Sequence, residues 1–329
     1  MKQIIRNVKI IGTGSFVPEK VYTNKYLETI LPTNDQWISE TVGIKERRIA
    51  SNNQATSDLA AIAGEKAIKN AGLKNEDIDL IIVATATPDR KAPSTAAFVH
   101  HKLNTVNAAA FDINAICSGF LFAMSTASQY ISTGVFNNIL VIGADTFSKI
   151  TNWEDRNAIF FGDGAGAVVL SSADASEGFL AYRIYTDTST DMLGFTIPGG
   201  GSENPLNSDN LKEQYFVMDG KAVFNSATKV LPLAINQVLA DTGLTIDEIN
   251  LMIPHQPSIR ILQKTAEIIG IPFEKVMTNM DKYANTSGAT IPILLDEVSK
   301  AGKIKKGDNV LFAAVGSGWT YGAAIIKWG

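Results

Sequence analysis

The chain reads as an α/β protein made of two duplicated halves, each a mostly parallel sheet with helices packed on it. Three observations predict this. The segment NAGLKNEDIDLIIVATATP (70–88) returns as DTGLTIDEINLMIPHQP (241–257) at an offset of 171, which lays Gly72 on Gly243, Leu73 on Leu244, Ile78 on Ile249 and Leu80 on Leu251. The same offset lays NILVIG (138–143) on NVLFAA (309–314), and an offset of 158 lays GAGAVVL (164–170) on GAAIIKW (322–328), so the first half carries an insertion of 13 residues. Within each half, short and wholly apolar strand patterns alternate with helical ones, as in a parallel sheet buried on both faces. A repeat this long marks duplicated domains, not a short-period solenoid.

The elements follow in order. MKQIIRNVKIIGTGSF begins with basic residues, but Gly12 and Gly14 interrupt its apolar stretch and no small-residue cleavage site follows, so it reads as a first strand and not a signal peptide. SDLAAIAGEKAIKNAG (57–72) has the helical period and leads into the strand LIIVATAT (80–87). FDINAICSGFLFAMS carries a strand pattern through Ile116 into a long apolar helix, and NILVIGAD (138–145) is the next strand. In FGDGAGAVVL the glycines stand at 162, 164 and 166 and precede a strand, which is not the GxGxxG arrangement of a dinucleotide site. GTGSFVP and GSGWTYG do not fit a phosphate loop either; close backbone approach is the use these glycines suggest. The small polar stretch SSADASEGF (171–179) divides the chain into halves 1–174 and 175–329. The second half contains TDTSTDMLGFTIPGGGSENPLNSDN (186–210), long enough for a functional loop.

Composition narrows the function. With 45% hydrophobic and 19% charged residues and a net charge of −4, nothing points to nucleic acid. The longest apolar runs are strand-sized, too short for a membrane span. One cysteine forbids an internal disulfide, and three histidines form no zinc-ligand spacing, so a reducing, cytoplasmic setting without metal or other cofactor is expected.

Three residues stand out chemically. Cys117 sits where a strand enters a helix, and unpaired N–H groups at a helix N-terminus favour a thiolate; its bland alternative is a small buried hydrophobe. His255 follows the strand INLMIP on a strand-to-helix loop, the place where parallel sheets present ligand-binding groups. By the repeat it corresponds to Ala84. His100 and His101, on a helix pattern, look structural. Asn285, in YANTSGATIP, lies on the second-half copy of the Cys117 loop, because the offset lays Gly288 on Cys117. Alone it is only a turn signal, but three corresponding strand-end loops of two pseudo-symmetric halves converge. A backbone N–H near Ser317, in VGSGWTYG, is a candidate oxyanion donor.

At these residues the chain resembles the β-ketoacyl-acyl-carrier-protein synthase III family of the thiolase superfamily. IIGTGSFVPE, DQWISETVGIKERRIA, AFDINAICSGF, FGDGAGAVVL, PHQPSIRI, YANTSGATIP and GSGWTYG appear in the family's order over the whole length. The resemblance implies a thiolase-like fold of two duplicated five-layered α/β/α/β/α halves, a homodimer, and a Cys117-His255-Asn285 site. It implies that Cys117 takes an acyl group from an acyl-CoA or acyl-ACP primer, with Cys117 and Ser317 N–H groups on the oxyanion. His255 and Asn285 then steady the enolate formed when malonyl-ACP loses CO2. Phe224 matches an aromatic position near the thiol, and Trp37 and Arg156 match phosphopantetheine and nucleotide contacts. Arg260 and Lys264, one helical turn apart, are the expected carrier-protein surface. Three departures suggest a specialised member. Thr41 replaces an arginine that stacks on the CoA adenine, Ala92 replaces a bulky Phe that closes the acyl pocket across the dimer, and HQAN becomes His255-Gln256-Pro257-Ser258. The smaller Ala92 suggests a deeper pocket and a longer primer.

Rival readings are a cysteine hydrolase, which uses Cys, His and Asn in the same order, and an inactive scaffold. A further alternative is a specialised-metabolism relative that joins two acyl or β-ketoacyl chains or acylates a small acceptor. The duplication disfavours the first, and the presence of Cys117 with both helpers disfavours the second.

Overall fold

The computed structural model describes residues 6–174, 176–205 and 214–329. The chain begins with β1 (Asn7–Phe16), then β2 (Lys20–Thr23) and β3 (Glu46–Ile49), which pair with each other around the short helices α1 (Asn24–Leu27) and α2 (Asp35–Thr41). There follow α3 (Thr56–Asn70), β4 (Leu80–Ala84), α4 (Thr95–Leu103), β5 (Ala109–Ile113), α5 (Gly119–Ser132), β6 (Ile139–Thr146) and β7 (Asp163–Ala173). Next come β8 (Gly178–Thr186), β9 (Phe195–Thr196), β10 (Val217–Met218), α6 (Gly220–Thr242), β11 (Leu251–Pro254) and α7 (Ile259–Ile269). The short helix α8 (Met280–Tyr283), α9 (Thr290–Lys300), β12 (Asn309–Gly316) and β13 (Thr320–Lys327) complete it.

Strands β1-β7-β6-β4-β5 form one sheet and β11-β12-β13-β8 another. The repeat maps β4 onto β11, β6 onto β12 and β7 onto β13, and the parallel and antiparallel pairings match: β4 with β6 and β11 with β12 are parallel, β6 with β7 and β12 with β13 antiparallel. The glycines that the repeat aligns, Gly72 (φ 71°) and Gly243 (φ 70°), close α3 and α6 in the left-handed conformation that a side chain disfavours. Where the first half has β5, the second has, among the described residues, an isolated parallel bridge, Met252 to Val276.

The central strands are buried on both faces, and successive side chains turn to opposite sides of each sheet. Leu80, Ile82, Val141, Val168, Ile253, Phe312 and Ile326 face a central layer that holds Phe120, Met124 and Ala127 of α5 with Ile291, Leu294 and Leu295 of α9. Ile81, Val83, Leu140 and Val169 face α3 and α4 on the outside of the first sheet. Met252, Leu311, Ala313 and Ile325 face α6 and α7 on the outside of the second. The five layers are therefore shared: helix pair, sheet, helix pair, sheet, helix pair run once through the two halves together. Each half alone has a sheet with helices on both faces, and the central helices α5 and α9 bury their apolar sides against both sheets at once. Apolar burial in this shared layer, at about 25 cal/mol per Å², favours keeping the two halves together. Among the described residues no helix is long and apolar enough to cross a membrane.

Candidate active site

Cys117 lies in a 3₁₀ turn (Ile116–Ser118) between β5 and α5. Asn114 Oδ1 accepts from the Ile116 N–H at 3.2 Å and opens the turn. Ile116 then has φ 48°, a left-handed backbone that costs a β-branched residue on the order of 1–3 kcal/mol. The thiol faces the second half, with Sγ 3.6 Å from Ser287 Oγ.

The second half builds the same turn. Asn285 Oδ1 accepts from the Ser287 N–H at 2.7 Å, Ser287 has φ 52°, and the turn Ser287–Ala289 leads into α9. The offset thus lays Asn114 on Asn285 and Ile116 on Ser287. Because Ser287 holds the Asn285 oxygen, the amide nitrogen is the group left to donate into the cleft. The backbone of Asn285 is tied to the first half: its N–H donates to Phe160 O at 3.0 Å and its carbonyl accepts from Gly162 N–H at 3.1 Å.

His255 follows β11, its N–H donating to Ala313 O at 2.8 Å. Its Nδ1 lies 2.8 Å from Thr290 Oγ1, and that hydroxyl is 3.0 Å from Ser287 O. Burial pushes the His255 pKa down to about 3, outweighing a hydrogen bond to the Ser287 backbone, so the ring is neutral at neutral pH. The Thr290 hydroxyl has one proton to share between His255 Nδ1 and Ser287 O: turned to Ser287 O, it takes an Nδ1–H bond and leaves Nε2 an acceptor; turned to Nδ1, it leaves the ring proton on Nε2, which is then a donor.

The resting thiol departs from expectation. Burial pushes the Cys117 pKa up to about 12; the hydrogen bond shared with Ser287 opposes this and the Asp145 charge adds to it. A helix N-terminus favours a thiolate only where solvent or charge also helps, and here Cys117 is 8% exposed, so desolvation wins.

Cys117, His255 and Asn285 line one cleft of about 220 Å³, together with Ser317, Phe224 and Arg260. A Cβ on Gly316 would stand 2.7 Å from Ala115 O and 3.1 Å from Cys117 N, so only glycine lets the Gly316–Ser317 backbone come this close to the Cys117 turn. The Ser317 hydroxyl itself donates to Phe195 O. Phe195 belongs to the long segment at 186–210, and Asp191 O of that segment accepts from Trp319 Nε1 at 2.9 Å. Residues 206–210 of it lie outside the described residues.

Other expected contacts fall elsewhere. Arg156 stacks on Trp37 at 3.9 Å, and neither lines the cleft; Thr41, one turn after Trp37 on α2, does. Ala92 is exposed and outside the lining of this chain's cleft, so the side chains that shape that cleft are aromatic ones such as Phe160, Phe161 and Phe195. Arg260 is exposed on the cleft wall, whereas Lys264 is held 2.9 Å from Glu267, which neutralises half of the expected basic patch. In the altered HQPS stretch, Ser258 Oγ caps α7 by accepting from Ile261 N–H, and Pro257 joins the lining.

Sequence reasoning missed Ser287, Thr290 and Asp145. The repeat could have found the first of these, since it pairs Asn114 and Ile116 with Asn285 and Ser287, but a serine in a polar turn carries no burial signal by itself.

The family model described as 3-oxoacyl-[acyl-carrier-protein] synthase III matches residues 111–188, and that of its C-terminal part matches residues 239–328. The chain is 46% identical over 322 residues to the β-ketoacyl-[acyl-carrier-protein] synthase III of Caldanaerobacter subterraneus, covering 97% of each. It is 44% identical to that of Clostridium acetobutylicum, covering 98% of this chain and 99% of the other. The crystal structure of 3-oxoacyl-[acyl-carrier-protein] synthase III from Aquifex aeolicus superposes with a TM-score of 0.91 at 41% identity, covering 98% of this chain and all of that one. The priming β-ketosynthase of the R1128 polyketide pathway superposes with a TM-score of 0.94 at 27% identity, covering 100% of this chain and 98% of that one. The fold is thus that of the thiolase-like condensing enzymes. The chain belongs to the β-ketoacyl-acyl-carrier-protein synthase III family.

Proposed function

We propose that the chain catalyses a decarboxylative Claisen condensation in fatty acid biosynthesis, joining an acyl primer to the malonyl group of malonyl-ACP. The observation that carries this reading is that Cys117, His255 and Asn285, from three different loops, line one cleft. Cys117 attacks the primer thioester and holds the acyl group, splitting one hard step into two. The N–H groups of Cys117 and Ser317 stabilise the oxyanion in the tetrahedral intermediate. The malonyl thioester carbonyl then accepts hydrogen bonds from Asn285 Nδ2 and His255 Nε2. As CO2 departs, the electrons move onto that carbonyl, and these donors stabilise the enolate that attacks the acyl-enzyme. A neutral histidine suits this role, because it donates without becoming an acid that quenches the carbanion.

The primer comes from an acyl-CoA or acyl-ACP past Trp37, Thr41 and Arg156, with Phe224 against the chain near the thiol. The carrier protein meets Arg260 and Lys264. A homodimer forms through β5, an edge strand of the first sheet with no partner on its outer side among the described residues. In that dimer Ala92 affects primer length from the surface of one protomer. The halves meet at 174/175 in this reading. A second reading, priming of a polyketide chain, draws on the likeness to the R1128 priming enzyme.

The test is incubation of the protein with acyl-CoA or acyl-ACP and malonyl-ACP, followed by mass analysis of the ACP-bound product. A β-ketoacyl-ACP two carbons longer than the primer supports the reading. Free acid from the primer, without condensation, would point to a hydrolase and sink it.

A further inference from the structure

Among the described residues Arg47, on β3, is the largest side chain that is completely buried, and the two-step reaction leaves it unused. No carboxylate lies within ion-pair distance of it among those residues; the neighbouring Glu46 pairs with Arg48 at 3.0 Å. The Arg47 guanidinium donates instead to three neutral oxygens: Nη1 to Tyr22 O at 3.1 Å and Asn24 Oδ1 at 2.9 Å, and Nη2 to Ile159 O at 2.9 Å. Burying a charge against neutral partners is costly, and filling space alone calls for an apolar side chain. The role of this arginine therefore lies in what its three bonds hold together.

One end of the fork holds the strip that grips Asn285. Within residues 159–162, Phe160 O accepts from the Asn285 N–H at 3.0 Å and the Gly162 N–H donates to Asn285 O at 3.1 Å, so the strip pairs with Asn285 as an isolated parallel bridge. Asn285 needs that grip. Ala284, just before it, has φ 58° and ψ −156°, a backbone that glycine adopts readily and alanine only under strain, so the local chain does not hold the amide in place by itself. A Cβ on Gly162 would stand 2.6 Å from Tyr283 O and 3.1 Å from Arg47 Cβ. Arg47 thus backs the strip by contact as well as by hydrogen bond.

The other end of the fork reaches the wall of the cleft. Asn24, whose Oδ1 accepts from Arg47, donates through Nδ2 to Asp35 Oδ1 at 2.8 Å and to Ile44 O at 2.7 Å. Asp35 opens α2, and Thr41 of that helix lines the cleft.

We propose that Arg47 is a positioning residue for Asn285: it locks the strip at 159–162 to the β2–β3 excursion and so keeps the Asn285 amide aimed at the malonyl carbonyl. Arg47 touches no reacting atom and acts through the backbone of the strip. A planar guanidinium suits the task, because its two terminal nitrogens hold two separate elements in one fixed geometry.

This inference rests on the proposed use of Asn285 in decarboxylation, and one experiment separates the two. The rate of CO2 release from malonyl-ACP is measured on the full chain for the wild type, Arg47→Met, Asn285→Ala and the double variant, with melting curves to check that each folds. Arg47→Met is expected to slow release on the order of 10- to 100-fold when Asn285 is present, since a shift of about 1 Å in a positioned donor is enough. In Asn285→Ala, where the amide to be aimed is gone, it is expected to slow release by no more than about 2-fold. A purely structural role would lower the rate by the same factor in both backgrounds. That equality, or an unchanged rate in folded Arg47→Met, overturns the positioning role. Arg47→Lys, which keeps the charge but replaces the fork by a single ammonium, goes through the same cycle with a smaller expected loss that again disappears in Asn285→Ala. It decides by the same two criteria if Arg47→Met does not fold. A wild-type protein that releases no CO2 overturns the proposed function along with it.

Discussion

The turns at Asn114–Gly119 and Asn285–Thr290 are copies of one another with opposite outcomes. Both open with an asparagine oxygen on an N–H two residues on, both pass through a left-handed residue, and both enter a central helix by a 3₁₀ turn. Yet Asn114 is exposed and Asn285 buried, and Cys117 in the first corresponds to Gly288 in the second. The strand ends divide the same way: Ala84 corresponds to His255, and Asp145 to Gly316. Each turn leans on the strand end of the other half, with Gly288 N–H on Asp145 and the Cys117 turn against Gly316. Duplication thus supplies two equivalent stations at a crowded axis, where one member of each pair must be small. The chemistry is split because the space is shared.

The largest expected effect breaks that equivalence outright. Cys117→Ala removes the acyl adduct in intact-protein mass spectrometry, and adding Gly288→Cys does not bring it back. A Cβ at Gly288 meets Asp145 Oδ2 and Ile116 O at 3.4 Å, so a thiol there faces a carboxylate and not the cleft. An adduct on the double variant would refute the division between the turns.

The two asparagines sharpen it. Asn285→Ala and His255→Ala should each lower malonyl decarboxylation on the order of 100- to 1,000-fold while Cys117 still acylates. Asn114→Ala should leave turnover near wild type and cost about 1 kcal/mol of stability, the price of one turn hydrogen bond. Equal losses of turnover at both positions would mean that the turn, not the amide, carries the effect.

Two glycines packed against the other half's turn come next. A methyl on Gly143 would collide with the Gly288 carbonyl, and one on Gly316 with Ala115 O, so Gly143→Ala and Gly316→Ala should each destabilise the protein by about 1–3 kcal/mol. A melting temperature equal to wild type for either would show that the halves are not wedged together at these points.

Buried His255 makes stability depend on pH. Its pKa is about 3 when folded and 6.5 ordinarily, so between those values the unfolded chain binds a proton that the folded chain does not. Stability falls as pH drops below about 6.5 and goes on falling toward about 3. Asp163, pushed up to about 6 by burial, has the opposite sign, since the folded state is then the better proton binder. The stability gap between wild type and His255→Gln isolates the histidine and should shrink by about 1–2 kcal/mol from about pH 7 to about pH 5 in denaturant titrations. A constant gap would mean that the imidazole is solvated.

The smallest effect concerns the surface. Arg260→Glu should weaken turnover with acyl carrier protein a few-fold, more at low salt, and leave acylation by a small thioester unchanged. Lys264→Glu should do less, because Glu267 already engages that lysine.

Much of this was legible in the sequence. The constant offset predicted which strands correspond, and alternation of apolar strands with helices predicted an α/β stack, because burial on both faces leaves a run such as LIIVATAT that needs no partner to be recognised. Cys117, His255 and Asn285 could be placed on corresponding strand-end loops for the same reason. What only tertiary structure decided are the contacts across the halves. The Ser287 hydroxyl against the Cys117 thiol, the Gly288 N–H on Asp145, the stacking of Arg156 on Trp37, and the sharing of one central helix layer all join residues from separate elements. Local periodicity records how buried a residue is, not which distant residue buries it. The thiol shows the consequence most plainly: its place at a helix N-terminus argued for a thiolate, and the enclosure that only the fold creates keeps it a thiol.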